Sequence, residues 1–108
     1  MCKVVVIMKT VIYGMLKEER DRNLEMQERQ KREISKLRKG SIVVKKISGK
    51  KYHYLAYYEN GKTKTDYIGN DEEEIKRIKR EIEKRKYLQN ILKRLKLEYK
   101  QIGKIVKD

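Results

Sequence analysis

The chain has 108 residues, the length of one domain, with 30 Lys and Arg against 16 Asp and Glu and a formal charge of +14. Charged residues make up 43% and hydrophobic ones 38%, which argues against a large buried core and an enclosed apolar substrate pocket. One Cys excludes an internal disulfide, and the longest apolar run, residues 4–8, is too short to span a membrane.

Four segments follow in chain order. Residues 1–14 (MCKVVVIMKTVIYG) are rich in β-branched side chains, which predicts a strand or a loose N-terminal arm. Met8 is a second candidate start of translation. The run after Lys3 is short and lacks a small-residue cleavage site, so a signal peptide is not expected and a cytoplasmic location is.

Residues 15–39 predict a helix. Glu18, Glu19 and Asp21 come early and Lys36, Arg38 and Lys39 late, as the helix dipole favours, and Gly40 is a natural stop. Its apolar residues are sparse (Met15, Leu16, Leu24, Met26, Ile34, Leu37), so the helix is expected to lean on a partner.

Residues 41–69 change to β-branched and aromatic residues alternating with polar ones. Asn60-Gly61 signals a type I′ hairpin, and Ser48-Gly49 does the same between the first two runs. The expected product is a three-stranded antiparallel meander. Two-residue turns pair Tyr58 with Thr63, Ala56 with Thr65, Tyr54 with Tyr67, Lys45 with Tyr52 and Val43 with Tyr54. One face then carries Ile42, Val44, Leu55, Tyr57 and Ile68, with His53, Lys46, Lys64 and Asp66. The other carries Tyr52, Tyr54, Tyr58, Tyr67, Thr63, Thr65, Lys45, Val43, Ile47 and Ala56. The aliphatic list is taken as the core face. A three-residue first loop would turn the first strand over.

Residues 71–106 predict a second long, basic helix, capped by Asp71 with Glu74 three residues on. Ile75, Ile78 and Ile82 form one stripe. Leu88, Ile91, Leu92, Leu95, Tyr99, Ile102 and Ile105 or Val106 form another, rotated by roughly 100°. The first half should pack on the sheet, and the second on the first helix or a second subunit; a bend near residue 86 is the competing account. The whole is read as one α+β domain over 15–108, with residues 1–14 as an extra strand or arm.

The chemistry lies on the tyrosine face. The chain has eight Tyr and no Phe, although codon bias would supply both. Hydroxylated rings suit half-wet positions. Lysine-rich rims neutralise phosphates, hydroxyls bond phosphates or base edges, and rings stack on bases. The candidate nucleic-acid-binding residues are Lys45, Lys50, Lys51, Tyr52, Tyr54, Tyr58, Lys62, Thr63, Thr65 and Tyr67, with Lys84, Arg85 and Lys86 on the second helix. The plainer account is that tyrosines fit strands and lysines keep edges soluble, but a charge of +14 exceeds what solubility asks.

The run KGSIVVKKISGKKYHYLAYYENGKTKTDYIG, followed by an acid-started helix, resembles small uncharacterised basic proteins of bacteria, archaea and phages. Tyr52, Tyr54, Gly61, Lys62 and Tyr67 stand where their shared pattern expects them. More distantly, residues 40–82 resemble the arm-binding domains of tyrosine recombinases, similar in plan to AP2 domains. That resemblance implies a sheet laid into the major groove of DNA. No recombinase catalytic region follows.

No enzyme is expected. His53, the one histidine, alternates with tyrosines and reads as packed or hydrogen-bonded. Cys2 has nothing to pair it with, and one Cys with one His excludes the common zinc sites. Asp66 reads as a salt-bridge partner of Lys46 or Lys64, and Glu81-Arg85 and Glu83-Lys86 as solvated pairs. The glycines form no phosphate loop. No cofactor, metal or membrane partner is expected. The expected function is DNA or RNA binding. The alternative is a protein-interaction module whose two helices form an antiparallel or intersubunit coiled coil, the latter in a homodimer, for example a phage or mobile-element inhibitor of a host nucleic-acid enzyme such as a CRISPR effector.

Overall fold

The computed structural model describes the backbone of residues 3–106 and the side chains of residues 9–106. Cys2 and Lys107 lie outside the described residues. The elements are α1 (Lys3–Ser35), β1 (Ser41–Ile47), β2 (Lys50–Glu59), β3 (Lys62–Gly69) and α2 (Glu72–Ile105). The class is α+β, with the three strands in the order β1-β2-β3. The chain divides into two compact units, one made of Ile34–Leu88 and the other of the residues before and after it.

The sheet unit is built from its turns. Ser48, Gly49, Asn60 and Gly61 all have positive φ, as both central residues of a type I′ turn require. The register follows: Ile47 pairs with Lys50, Lys45 with Tyr52 and Val43 with Tyr54. On the other side Glu59 pairs with Lys62, Tyr58 with Thr63, Ala56 with Thr65 and Tyr54 with Tyr67. The ladder then slips between Tyr54 and His53, which pairs with Gly69, so Ile68 is an extra residue in β3. Such a bulge bends the strand locally.

The aliphatic face is the buried one. Leu55 packs with Ile78 and Ile82 of α2, and Ile42, Tyr57 and Ile68 close around them. Ile75 is buried as well, while Val44 is exposed, beyond the end of this core. Ile78 is only 1% exposed, and burying such a side chain contributes about 1.5–3 kcal/mol. Gly40 enters β1 with φ near +119°, and a Cβ there would collide with the Ala56 carbonyl oxygen. Here the need for glycine is both conformational and steric.

The ends of the helices are satisfied locally. The Asp71 carboxylate accepts from the Glu73 amide at 3.0 Å and the Asp71 carbonyl from the Ile75 amide at 3.0 Å, which caps α2. Glu74 faces Arg77 at 2.7 Å and Arg38 at 3.8 Å. The expected return bond of a capping box gives way to these ion pairs.

In the helical unit, residues 3–14 are helical, not a strand. A β-branched residue in a helix costs only a few tenths of a kcal/mol. Extending a helix that already exists avoids the nucleation penalty, and the sheet belongs to the other unit. The helix also ends at Ser35, four residues short of its expected end at Lys39. Its inward stripe is polar: Asn23 is 2% exposed and Gln27 is buried, while Met15, Leu24 and Met26 face solvent. Asn23 donates to the Leu95 carbonyl of α2 at 2.9 Å, and Gln27 donates to Asn23 Oδ1 at 2.6 Å. Two buried amides thus satisfy each other and one carbonyl, which removes the desolvation penalty of leaving them bare. Leu95 of α2 and Val106, the residue just after it, are buried, while Ile105 is exposed, so Val106 completes the second apolar stripe. α2 is unbroken from Glu72 to Ile105.

Candidate nucleic-acid interface

Alternation along β2 puts Leu55 and Tyr57 toward α2 and Tyr52, Tyr54, Ala56 and Tyr58 on the opposite face. β1 adds Lys45 there and β3 adds Thr63, Thr65 and Tyr67, by the register above. Tyr58, one residue from the end of β2, is 65% exposed, and Tyr67, inside β3, is 59% exposed. Tyr52 and Tyr54 are half-buried.

The rings touch one another. Tyr54 meets Tyr67 edge-on with centroids 5.4 Å apart, and Tyr52 tilts against Tyr67 at 6.3 Å. Both separations suit favourable aromatic pairing. The Lys45 ammonium stands over the Tyr54 ring, 4.8 Å from its centroid, within cation–π range. Tyr67 is the ring shared by both pairs, and Tyr54 has one ring face taken by a cation. Tyr58 and Tyr67 are the rings a base can reach.

The other sequence-predicted residues divide. Lys62, Thr63 and Thr65 are exposed on β3, and the latter two share the tyrosine face. Lys50 and Lys51 stand at the turn between β1 and β2, where they line a cleft with His53 and the start of α2. Lys84 and Lys86 are exposed on α2, which packs on the aliphatic side of the sheet, so they do not share a surface with the tyrosines. Arg85 has a different task. Its Nη1 donates to the Ile34 carbonyl at 2.7 Å, which also accepts from the Leu37 amide, and to the Leu37 carbonyl at 2.9 Å just past the end of α1. The guanidinium is part-buried and engaged by the fold, so it is withdrawn from the candidate interface.

Three further expectations are revised or sharpened on the aliphatic side. Asp66 accepts a hydrogen bond from the Tyr57 hydroxyl, which, with burial and the nearby carboxylate charge, pushes the Tyr57 pKa above its ordinary value. Lys64 pairs with Glu59 at 3.7 Å, not with Asp66. Glu81 faces Arg38 at 3.8 Å. His53 Nδ1 lies 3.2 Å from Asn70 Oδ1, so the histidine is hydrogen-bonded. Among the described residues no group of three His, Cys, Asp or Glu could hold a metal ion, and no helix is long and apolar enough to cross a membrane.

The fold and this surface together define a basic α+β chain in which one face of a three-stranded antiparallel sheet is packed and the other is a lysine-rimmed tyrosine cluster. It belongs to the DUF6788 family, a domain of unknown function, whose model matches residues 16–77, more than half of the chain and the whole of the sheet. No curated protein and no solved structure matches it.

Proposed function

We propose that this protein binds nucleic acid on the tyrosine face of its sheet. The observation that supports this reading most is the exposure of Tyr58 and Tyr67 on a face that no element of the sheet unit covers. Large rings left in water beside lysines have a use in stacking on bases, while Lys45 and Lys62 neutralise phosphates and Thr63 and Thr65 offer hydroxyls. The net charge of +14 supplies the long-range attraction. The likeness to arm-binding domains of tyrosine recombinases adds one docking geometry, a sheet entering the major groove, and carries only the weight of fold analogy.

The test is gel retardation of duplex and single-stranded oligonucleotides at about 50 and 200 mM salt, with a Tyr58→Ala/Tyr67→Ala variant beside the native chain. Affinity should fall steeply with salt. Each stacked ring removed should weaken binding by about 1–3 kcal/mol, roughly 5- to 150-fold. Lack of retardation at low salt rejects the reading.

One observation favours a second reading, a helix-mediated protein interaction. In the helical unit Val11, Ile12, Met15, Leu97 and Ile105 are each more than half exposed, as an α-helical docking surface for a host protein or a second copy would be.

A further inference from the structure

The buried side of the sheet does not stay apolar along its whole length. Its core is Leu55, Ile78 and Ile82. Toward the β1–β2 turn the same face of β2 continues as His53 and Lys51, and the partner of Lys51 on β1 is Lys46. On α2 the stripe facing this end runs Glu72, Ile75, Lys76 and Lys79, the i, i+3, i+4, i+7 pattern of one helix face. Sheet and helix thus part into a cleft of about 550 Å³, which also takes in Lys50 and Asn70.

Charge is lopsided there. Lys50, Lys51, Lys76 and Lys79 line the cleft, and Glu72 is the one carboxylate among its lining residues. None of the four ammonium groups takes part in an ion pair among the described residues. Where carboxylates stand nearby in the sheet unit they do pair with cations: Lys64 with Glu59, Arg38 with Glu74 and Glu81, and Arg77 with Glu74. Four like charges gathered in a concave site between two low-dielectric walls focus a positive potential on its interior. His53, held by Asn70 at 3.2 Å, and the Asn70 amide add polar groups at the mouth.

We propose that this cleft is a second anion site that takes a phosphate group, distinct from the tyrosine face. Its deeper assignment, a phosphate of the bound strand, rests on the nucleic-acid reading above. A strand stacked across Tyr67 would turn over the end of the sheet at the β1–β2 turn, past Lys45 and Lys50, to place a backbone phosphate between Lys51 and Lys76. A free inorganic phosphate is the other source of the same chemistry.

Inorganic pyrophosphate is the probe, titrated at low salt into the full chain and followed by amide chemical shifts. Saturable shifts confined to residues 50–53, 70–72 and 76–79 are expected. A Lys76→Gln/Lys79→Gln variant, helix-compatible and exposed, should bind pyrophosphate roughly tenfold more weakly or worse. Lys17→Gln/Lys31→Gln removes the same charge from α1 and should leave binding unchanged. Non-saturating shifts spread over all the lysines, or equal loss in both variants, would overturn the proposal. A short oligonucleotide then separates the sources. Displacement of pyrophosphate, with a salt slope about one unit shallower in the Lys76/Lys79 variant, assigns the cleft to the strand. Oligonucleotide binding that leaves pyrophosphate in place assigns it to free phosphate. If the cleft binds pyrophosphate while no oligonucleotide is retarded, the site stands and the nucleic-acid reading falls.

Discussion

Replacing Arg85 with Gln separates a structural cation from a ligand-binding one. Arg85 Nη1 serves two carbonyls, Ile34 at 2.7 Å and Leu37 at 2.9 Å. One nitrogen bonding two acceptors counts as a single charge-assisted interaction, worth about 1.5–3 kcal/mol. Gln cannot reach as far or carry the charge, so the Leu37 carbonyl loses its guanidinium partner and the Ile34 carbonyl keeps only the Leu37 amide at 3.1 Å. For a unit of this size each kcal/mol moves the melting temperature by about 4–8 °C, so a fall of roughly 6–24 °C is expected, toward the lower end because the site is only part-buried. Helical circular dichroism followed through a thermal scan reads it. Lys84→Gln and Lys86→Gln, at exposed positions on either side, should each change stability by no more than about 0.5 kcal/mol. A Gln variant that melts with the native chain but binds oligonucleotide more weakly would refute this reasoning and return Arg85 to the interface.

Ile78→Ala removes the most buried side chain of the core and should destabilise the sheet unit by about 2–5 kcal/mol in urea titrations. Gly40→Ala should be far more damaging than Gly49→Ala, because only the first brings a Cβ against backbone; comparing their urea midpoints checks this. Tyr57 should ionise above the ordinary tyrosine value in a spectrophotometric pH titration, its pKa raised by the hydrogen bond to Asp66, by burial and by the carboxylate charge. The sign follows from the raised pKa: the Tyr57–Asp66 contribution to stability is full below the unfolded value and fades as pH rises through the folded one. Asp66→Asn should bring that titration back toward normal. Sedimentation at high protein concentration tests the helical surface. Association that Met15→Lys and Leu97→Lys abolish supports docking between copies, and a monomer throughout argues against it.

Much of the sheet was legible because its information is local. Asn60-Gly61 and Ser48-Gly49 each name a two-residue turn, a two-residue turn sets the register, and the register sorts side chains onto faces. The position of Leu55, Tyr57, Ile42 and Ile68 against α2 follows from that chain of steps, as does the tyrosine face. The bulge at Ile68 left no comparable mark. What failed to show in the sequence depends on partners distant along the chain. Residues 3–14 have strand propensity, yet they continue a helix, because propensity is weak beside propagation. Asn23 and Gln27 are polar residues in a charged helix, and neither alone carries a local sign of burial. Their four-residue spacing was the available signal, and only Leu95, 72 residues away in sequence, gives it meaning. Arg85 sits in the basic run Lys84-Arg85-Lys86, where composition alone cannot tell which cation turns inward. The basic cleft was missed for a similar reason: Lys76 and Lys79 join Lys50 and Lys51 only when α2 folds back along the sheet.

The central claim is that a nucleic-acid strand lies on the exposed rings of the sheet. Its most direct measurement is a titration of the tyrosine ring resonances with a short single-stranded oligonucleotide at low salt. The account predicts that the signals of Tyr58 and Tyr67 move most, those of Tyr52 and Tyr54 move less, and the methyls of Ile78 and Ile82 stay still. Ring signals that hold their positions while the oligonucleotide binds elsewhere, or a strand that does not bind at all, would contradict it.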